Sequence, residues 1–463
     1  MADTLAESVR ELVAELEARF PYAAALLTGA TGTQITDDGR EQSASEVDPS
    51  RGIVFTVYDG SAFAEYSTSD LTPEHLAAGV RGWAGELSPR PGGPPLASER
   101  DTPPTTAEPR VFGVAMEVDP AAVPLPDKLV LLRDVQQRAQ ALDTRIVQAR
   151  IGYTDNTYES TYIGRGRFLE QHVTRTRLFL VIAVADGGQV RYDYLNRGGT
   201  VGFELTRISD GDLARTVETA VRLLTAERIE PGEYDIVADN AISGVIAHES
   251  FGHGVELDLY PKGRARSAHY LDQQVAAAGL NMYDDPSVAG GYGSYFFDDE
   301  GELARSSQIL RDGVFVRPIS DFASATFAPG IHTPNGRRQD FTRKVYARMS
   351  NTFFGPGDTP PEAVIGGVER GIYLRQVESG MEDPMGWGIQ VTAHYGEEIR
   401  NGQLTGRLFA PITMTGYVPD VLRSISAIGS DFALDPGFCG KGHKEMVPVS
   451  SGGPHLRTRA RLG

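Results

Sequence analysis

The chain has 463 residues, 40% hydrophobic and 23% charged, with a formal net charge of -18. That length exceeds one ordinary core and makes two domains the expectation, while the composition is globular, not disordered. The acidic balance argues against nucleic acid and anionic membrane as partners, because both demand a basic face.

The chain opens with a helix. Thr4 and Glu7 form a capping box, and Leu5, Val9, Leu12, Val13 and Leu16 make one apolar stripe. The opening residues carry neither a positive n-region nor an apolar h-region, and no segment has the apolar length to span a bilayer. A cytoplasmic location is therefore expected. A strand follows at Gly52 to Tyr58, and a second helix starts at Thr72-Pro73-Glu74 with proline at its first position. Ser88 to Arg110 is rich in Pro, Gly, Ser and Thr and reads as a surface loop. A third helix covers about Asp127 to Leu142. Arg145 to Ile163 alternates in places, and Leu178 to Val184 pairs with Val190 to Leu195 across Asp186-Gly187-Gly188. A fourth helix spans about Gly211 to Glu227.

Glu230-Pro231-Gly232-Glu233 punctuates the chain. The boundary is placed there, giving an N-terminal domain over 1–230 and a C-terminal domain over 231–463. Beyond it the pattern turns to Gly-rich short strands, with one helix carrying a pair of histidines. Alternating βαβ units are absent, which argues against a doubly wound sheet. The fold class is α+β: an N-terminal α/β domain, then a β-rich, mostly antiparallel C-terminal domain carrying the metal helix.

That helix carries His248-Glu249-Ser250-Phe251-Gly252-His253, and the sole cysteine, Cys439, lies far downstream. One cysteine makes no internal disulfide; it serves either chemistry or as a small buried hydrophobe. Two imidazoles and a thiolate are a set of borderline-soft ligands for Zn2+. A carboxylic acid beside the first imidazole is the usual companion when zinc-activated water attacks a carbonyl. The histidines are five apart, not the four that put both on one helix face. At about 100° per residue the second ring would lie roughly 140° round from the first. The helix must therefore end, tighten or bulge between them, with Gly252 and Gly254 supplying unusual backbone angles. His248 and Glu249 are expected on the last helical turns and His253 at or just past the end. Ile242 to Ala247 is apolar and small, as a buried helix requires.

The stretch His248 to Gly254, followed by Glu256 and Asp258, resembles the HExxxH signature of the TldD/PmbA metallopeptidases. Phe297-Asp298-Asp299-Glu300-Gly301 is similar to that family's acidic turn. Arg348-Met349-Ser350-Asn351-Thr352 is similar to its Arg-Met-Thr-Asn-Thr segment. Cys439-Gly440-Lys441 with Val447-Pro448-Val449 is similar to its cysteine element. The matches run in order from about Asp239 to Arg457; the first half agrees only in general character. The resemblance implies His248, His253 and Cys439 as zinc ligands and Glu249 as general base. It implies hydrolysis of unfolded or small peptides inside a dimer-enclosed chamber, the partner being a second copy or a motif-lacking family member. One departure is Gly442-His443-Lys444-Glu445-Met446, where the family runs on through a glutamine. His443 is within reach of the metal in principle, but a solvent-facing loop histidine is the favoured reading.

Glu256 and Asp258 read either as partners that orient a ligand imidazole or as a local salt bridge or cap. The acidic turn lacks the spaced ligands of a calcium loop and reads as a plain β-turn. Gly291-Tyr292-Gly293 reads as a flexible loop near the site. Arg337-Arg338 reads either as a grip for a peptide carboxylate or as an exposed turn. Two functions compete with the peptidase: a tailoring amidohydrolase acting on one amide, and a non-catalytic regulatory binding protein.

Overall fold

The computed structural model describes residues 3–47, 50–90, 110–328, 330–442 and 445–463. Helix α1 (Asp3–Glu17) turns Val9, Leu12, Val13 and Leu16 inward as the apolar stripe requires. The Thr4 side chain of the expected capping box lies outside the described residues. Strand β1 (Tyr22–Asp37) then alternates cleanly, because successive side chains of a strand point to opposite faces. Ala23, Ala25 and Leu27 meet α1 and α2 (Pro73–Gly85), whereas Tyr22, Ala24 and Leu26 pack with Phe297 and Phe322 of the second half.

Strands β2 (Gln42–Glu46), β3 (Gly52–Tyr58), β4 (Phe63–Thr68), β5 (Arg110–Gly113), β6 (Ile146–Gly164), β7 (Arg167–Asp186) and β8 (Gln189–Gly199) complete an eight-stranded sheet. The β7–β8 hairpin turns at Gly187 and Gly188, both with positive φ, so Asp186 faces Gln189 and Leu178 faces Arg197. Helices α3 (Leu125–Gln140) and α4 (Asp210–Leu223) cover the far end of the face that α1 and α2 share. Most of the loop expected over Ser88 to Arg110 lies outside the described residues.

After residue 231 two larger sheets form, with a two-stranded one of Gly336–Arg337 and Tyr346–Ala347 beside them. Strands Arg370–Asp383, Gly232–Ala238, Leu456–Leu462, Ile412–Tyr417 and Gly388–Arg400 pair in that order, and the last pairs back to the first, closing a ring. These strands are not uniformly short: Arg370–Asp383 has 14 residues and Gly388–Arg400 has 13. The other sheet has six strands and ends on Glu445–Gly453 and then Ala433–Lys441. Most pairings are antiparallel; Arg370–Asp383 with Gly232–Ala238, and Asn351–Phe354 with Glu445–Gly453, are parallel. The whole is α+β, with helices on one face of the first sheet and a β-rich second half on the other. Among the described residues, no helix is long and apolar enough to cross a membrane.

Helix α5 (Asn240–Ala247) is buried where the two larger C-terminal sheets meet. Gly244 allows it to lie against a strand: a Cβ there would sit 2.3 Å from the backbone N of Gly452. That approach brings the end of α5 to the hairpin that carries Cys439.

Candidate metal centre

Helix α5 starts firmly. Asp239 caps it, its Oδ1 accepting from the Ile242 N–H at 2.9 Å, and Ile242 through Ala247 are all buried. Regular winding stops at Ala247. Residues His248–Gly252 form a π turn in which the His253 N–H donates to the His248 carbonyl. A bond from a residue to the fifth before it makes the turn wider. Histidines five apart thereby return to one face. The break is thus a bulge, and His253 opens a short 3-10 turn just beyond it. Gly252 and Gly254 contribute differently from expectation. Gly252 has φ -83, an ordinary value. Its missing Cβ matters because one would lie 2.1 Å from the Met349 Sδ.

The two imidazole rings stand 5.1 Å apart at 89° to each other. Cys439 reaches them from the edge strand Ala433–Lys441, with Sγ 3.4 Å from His253 Nε2. One ligand atom from each of His248, His253 and Cys439 lies within 4.8 Å of the other two. Tetrahedral zinc, with Zn–N about 2.0–2.1 Å and Zn–S about 2.3 Å, places its ligand atoms roughly 3.3–3.7 Å apart. The donor set suits the ion, and the 3.4 Å between Cys439 Sγ and His253 Nε2 falls within that range. His248 Nδ1 is also buried without a hydrogen-bond partner. Burial pushes the Cys439 thiol up, but His253 and His248 outweigh it and hold it well below the usual thiol range. His253 answers in kind: burial lowers it, yet the thiolate and Glu256 raise it well above an ordinary histidine.

The residues just after the motif divide. Glu256 Oε2 lies 3.5 Å from His253 Nδ1, the orienting position. Burial raises the Glu256 carboxyl, but Lys441 and His253 bring it down to about 2. Asp258 pairs instead with Lys441, whose Nζ lies 2.7 Å from Asp258 Oδ1 and 2.9 Å from Glu256 Oε2. Lys441 therefore ties the cysteine strand to the histidine segment. Arg348 holds the same strand from behind, its Nη2 donating to the Cys439 carbonyl at 2.6 Å. His443 lies outside the described residues.

Three smaller expectations need correction or refinement. The acidic turn is a β-turn whose Asp298 accepts the N–H groups of Glu300, Glu302 and Gly336, with Gly301 at φ 78. Gly291-Tyr292-Gly293 is packed and not loose: the Tyr292 N–H donates to Ser450 Oγ at 2.8 Å and the Gly293 N–H to Asn351 Oδ1 at 3.1 Å. Arg337 and Arg338 are not an exposed turn. Both are buried, Arg337 on the carbonyls of Met349 and Pro448 and Arg338 on Glu65 and the Arg343 carbonyl.

Glu249 and His248 open on a cavity of about 560 Å³. Its far wall is the first sheet, through Arg177, Tyr192 and Tyr194 of β7 and β8, and Glu378 lines its side. These four carry no motif. The hairpin was readable as strands, but only the fold sets it opposite α5.

The frame matches that of TldE from Thermococcus kodakarensis, with a TM-score of 0.76 at 16% identity over 98% of this chain and 100% of that one. It is a likeness of fold. The domain family described as the PmbA/TldA metallopeptidase C-terminal domain matches residues 231–461, and its central domain matches residues 118–227. A metalloprotease of Methanothermobacter thermautotrophicus is 33% identical over 344 residues, 73% of this chain and 74% of that protein. A zinc metalloprotease TldD homolog of Saccharolobus solfataricus is 27% identical over 248 residues, 53% of this chain and 55% of that one. The chain belongs to the PmbA/TldD family of metallopeptidases.

Proposed function

We propose that this chain is a zinc-dependent peptidase acting on unfolded or small peptides, with His248, His253 and Cys439 holding Zn2+ and Glu249 as general base. The observation that carries the reading is convergence: Cys439 lies 186 residues from His253 in sequence and 3.4 Å from it in space. A zinc ion bound there supplies Lewis acidity toward a water and a scissile carbonyl. Glu249, next to the first ligand and on the same cavity, takes the proton of the attacking water and returns it to the leaving amine. Glu256 keeps the His253 ring turned toward the ligand set, and Lys441 and Arg348 fix the strand that presents Cys439. The cavity between the first sheet and α5 receives the peptide.

The same reading divides the domains at 230/231, between α4 and the first strand of the closed ring. It takes the working form to be a dimer enclosing the site, of two copies or with a motif-lacking relative, and the location to be cytoplasmic. The family resemblance supports the dimer and the single cysteine supports the compartment. The net charge of -18 supports peptides and not nucleic acid as the substrate.

The test is Glu249→Gln, assayed on unstructured peptides beside a zinc determination. Turnover is expected to fall by about 10²–10⁴ with zinc content unchanged. Cleavage by the variant at the wild-type rate would remove Glu249 from the role.

A further inference from the structure

The cavity contains a carboxylate that the proposed chemistry leaves unused. Glu378 lines it together with His248 and Glu249. Its Oε1 accepts from the Tyr192 hydroxyl at 2.8 Å and is hydrogen-bonded to His394 Nδ1 at 2.5 Å. The other ring nitrogen of His394 is 2.9 Å from the Tyr192 carbonyl, so the ring is pinned on both sides. Both bonds fall on one oxygen, and the Glu378 side chain stays 31% exposed.

The backbone here is irregular in a way that aims this residue. Pairing with Gly388–Arg400 slips between Val377 and Ser379, so Glu378 is the extra residue of a β-bulge. Gln376, two residues earlier, has φ 55, a left-handed value few non-glycine residues adopt. Bulges and left-handed residues beside a site redirect side chains and persist only when the surroundings hold them. Here they are held twice. The Gln376 N–H donates at 3.0 Å to Asp239 Oδ2, the carboxylate that also caps α5. From the opposite sheet, the Tyr194 hydroxyl donates to the Val377 carbonyl at 2.7 Å.

The surroundings favour a cation. Phe179, Tyr192 and Tyr194 line the same cavity. The carboxylates of Glu249 and Glu378, with Asp435 beyond them, line the cavity; its one lining guanidinium among the described residues is that of Arg177, and the His394 ring that pairs with Glu378 Oε1 leaves the second carboxylate oxygen open. Arg177 is already engaged, lying over Phe438 at 5.4 Å and donating to Asn196 Oδ1 at 3.2 Å. A carboxylate flanked by aromatic faces selects ammonium or guanidinium groups. We propose that Glu378 is a specificity-determining residue that binds a cationic nitrogen of the peptide, either its free α-ammonium or a Lys or Arg side chain. Tyr192 and His394 are positioning residues for it. The inference rests on the peptidase reading.

The test uses the full-length, zinc-loaded protein and matched short peptides carrying Lys, norleucine or Glu at one position, each with a free or acetylated N-terminus. Wild type is expected to show a KM about tenfold lower for cationic than for neutral peptides, the size of one partly screened charge pair. Loss of the advantage on acetylation assigns the α-ammonium; loss with norleucine assigns the side chain. Glu378→Gln should collapse the preference and Glu378→Lys should turn it toward the Glu peptide. Equal treatment of all peptides by wild type, or an intact preference in folded Glu378→Gln, overturns the assignment. Should Glu378→Gln fail to fold, the wild-type comparison alone decides. If no peptide is cleaved, the peptidase reading fails separately, and calorimetric titration of the same peptides into wild type still decides Glu378. Tighter binding of the cationic peptides upholds it, and equal Kd values overturn it.

Discussion

The first sheet and the strands after residue 231 are built around opposite uses of a buried face. In β1 the alternation serves two cores at once, with Ala23, Ala25 and Leu27 under the helices and Tyr22, Ala24 and Leu26 against the second half. In the second half the buried face is opened for chemistry: a π turn, a glycine contact and an edge strand bring two imidazoles and a thiol together. The first sheet supplies none of those ligand atoms, yet its β7–β8 hairpin forms the far wall of the cavity. On the proposed reading, one region holds the reactive groups and the other lines the approach to them.

The strongest way to break that division is to remove a ligand. Cys439→Ser should weaken zinc by more than about a hundredfold, beyond the loss typical of an outer partner, with activity falling in step. Mass spectrometry of the native protein reads the metal. Unchanged zinc would move the thiol out of the site. A smaller loss, about 10- to 100-fold in zinc affinity, is expected from Glu256→Gln, which removes the charge facing His253 Nδ1. Competition with a chelator measures it, and an unaltered affinity would make Glu256 a mere partner of Lys441.

Paired glycine substitutions sharpen the contrast in packing. Gly252→Ala drives a methyl into Met349 and should destabilise by about 1–3 kcal/mol, with zinc loss as the π turn shifts. Gly82→Ala in α2, where a Cβ would meet nothing within 4 Å, should stabilise by roughly 0.5–1 kcal/mol. Urea midpoints read both, and a neutral Gly252→Ala would refute the close approach.

The smallest effect is a matter of pH. Burial and the neighbouring Asp239 raise the Asp435 carboxyl to about 7, against the opposing pull of Arg177 and Asn196. An unfolded aspartate titrates near about 4. Between those values the native state holds a proton that the unfolded chain has released, so this group makes stability fall as pH rises through the window. Asp435→Asn should therefore raise Tm relative to wild type at pH 8 and lose that advantage at pH 5. A difference independent of pH would contradict the shift.

Much of this was legible in the residues, and the reasons for the rest are physical. Periodicity and turn chemistry located α1 to α4 within a few residues, because stripes such as Leu12, Val13 and Leu16 and turns such as Gly187-Gly188 act locally. The spacing of His248 and His253 demanded a break in the helix, and the break is there. Whether it would tighten or widen depended on Met349 and on the Gly452 strand, which are remote in sequence. The closed ring was not readable, since Arg370–Asp383 meets Gly232–Ala238 only after more than a hundred residues of intervening chain. Arg337 and Arg338 misled for the same reason: the groups that bury them, from Glu65 to Pro448, come from across the molecule. Glu378 gave no signal at all, because its setting is a bulge held by the cap of another element.

The central claim is that two imidazoles and one thiolate hold zinc beside Glu249. X-ray absorption at the zinc edge of the purified protein tests it most directly. The account predicts one sulfur near about 2.3 Å with nitrogen or oxygen neighbours near about 2.0–2.1 Å, and loss of the sulfur shell in Cys439→Ser. A zinc environment of nitrogen and oxygen alone in the wild-type protein would contradict it.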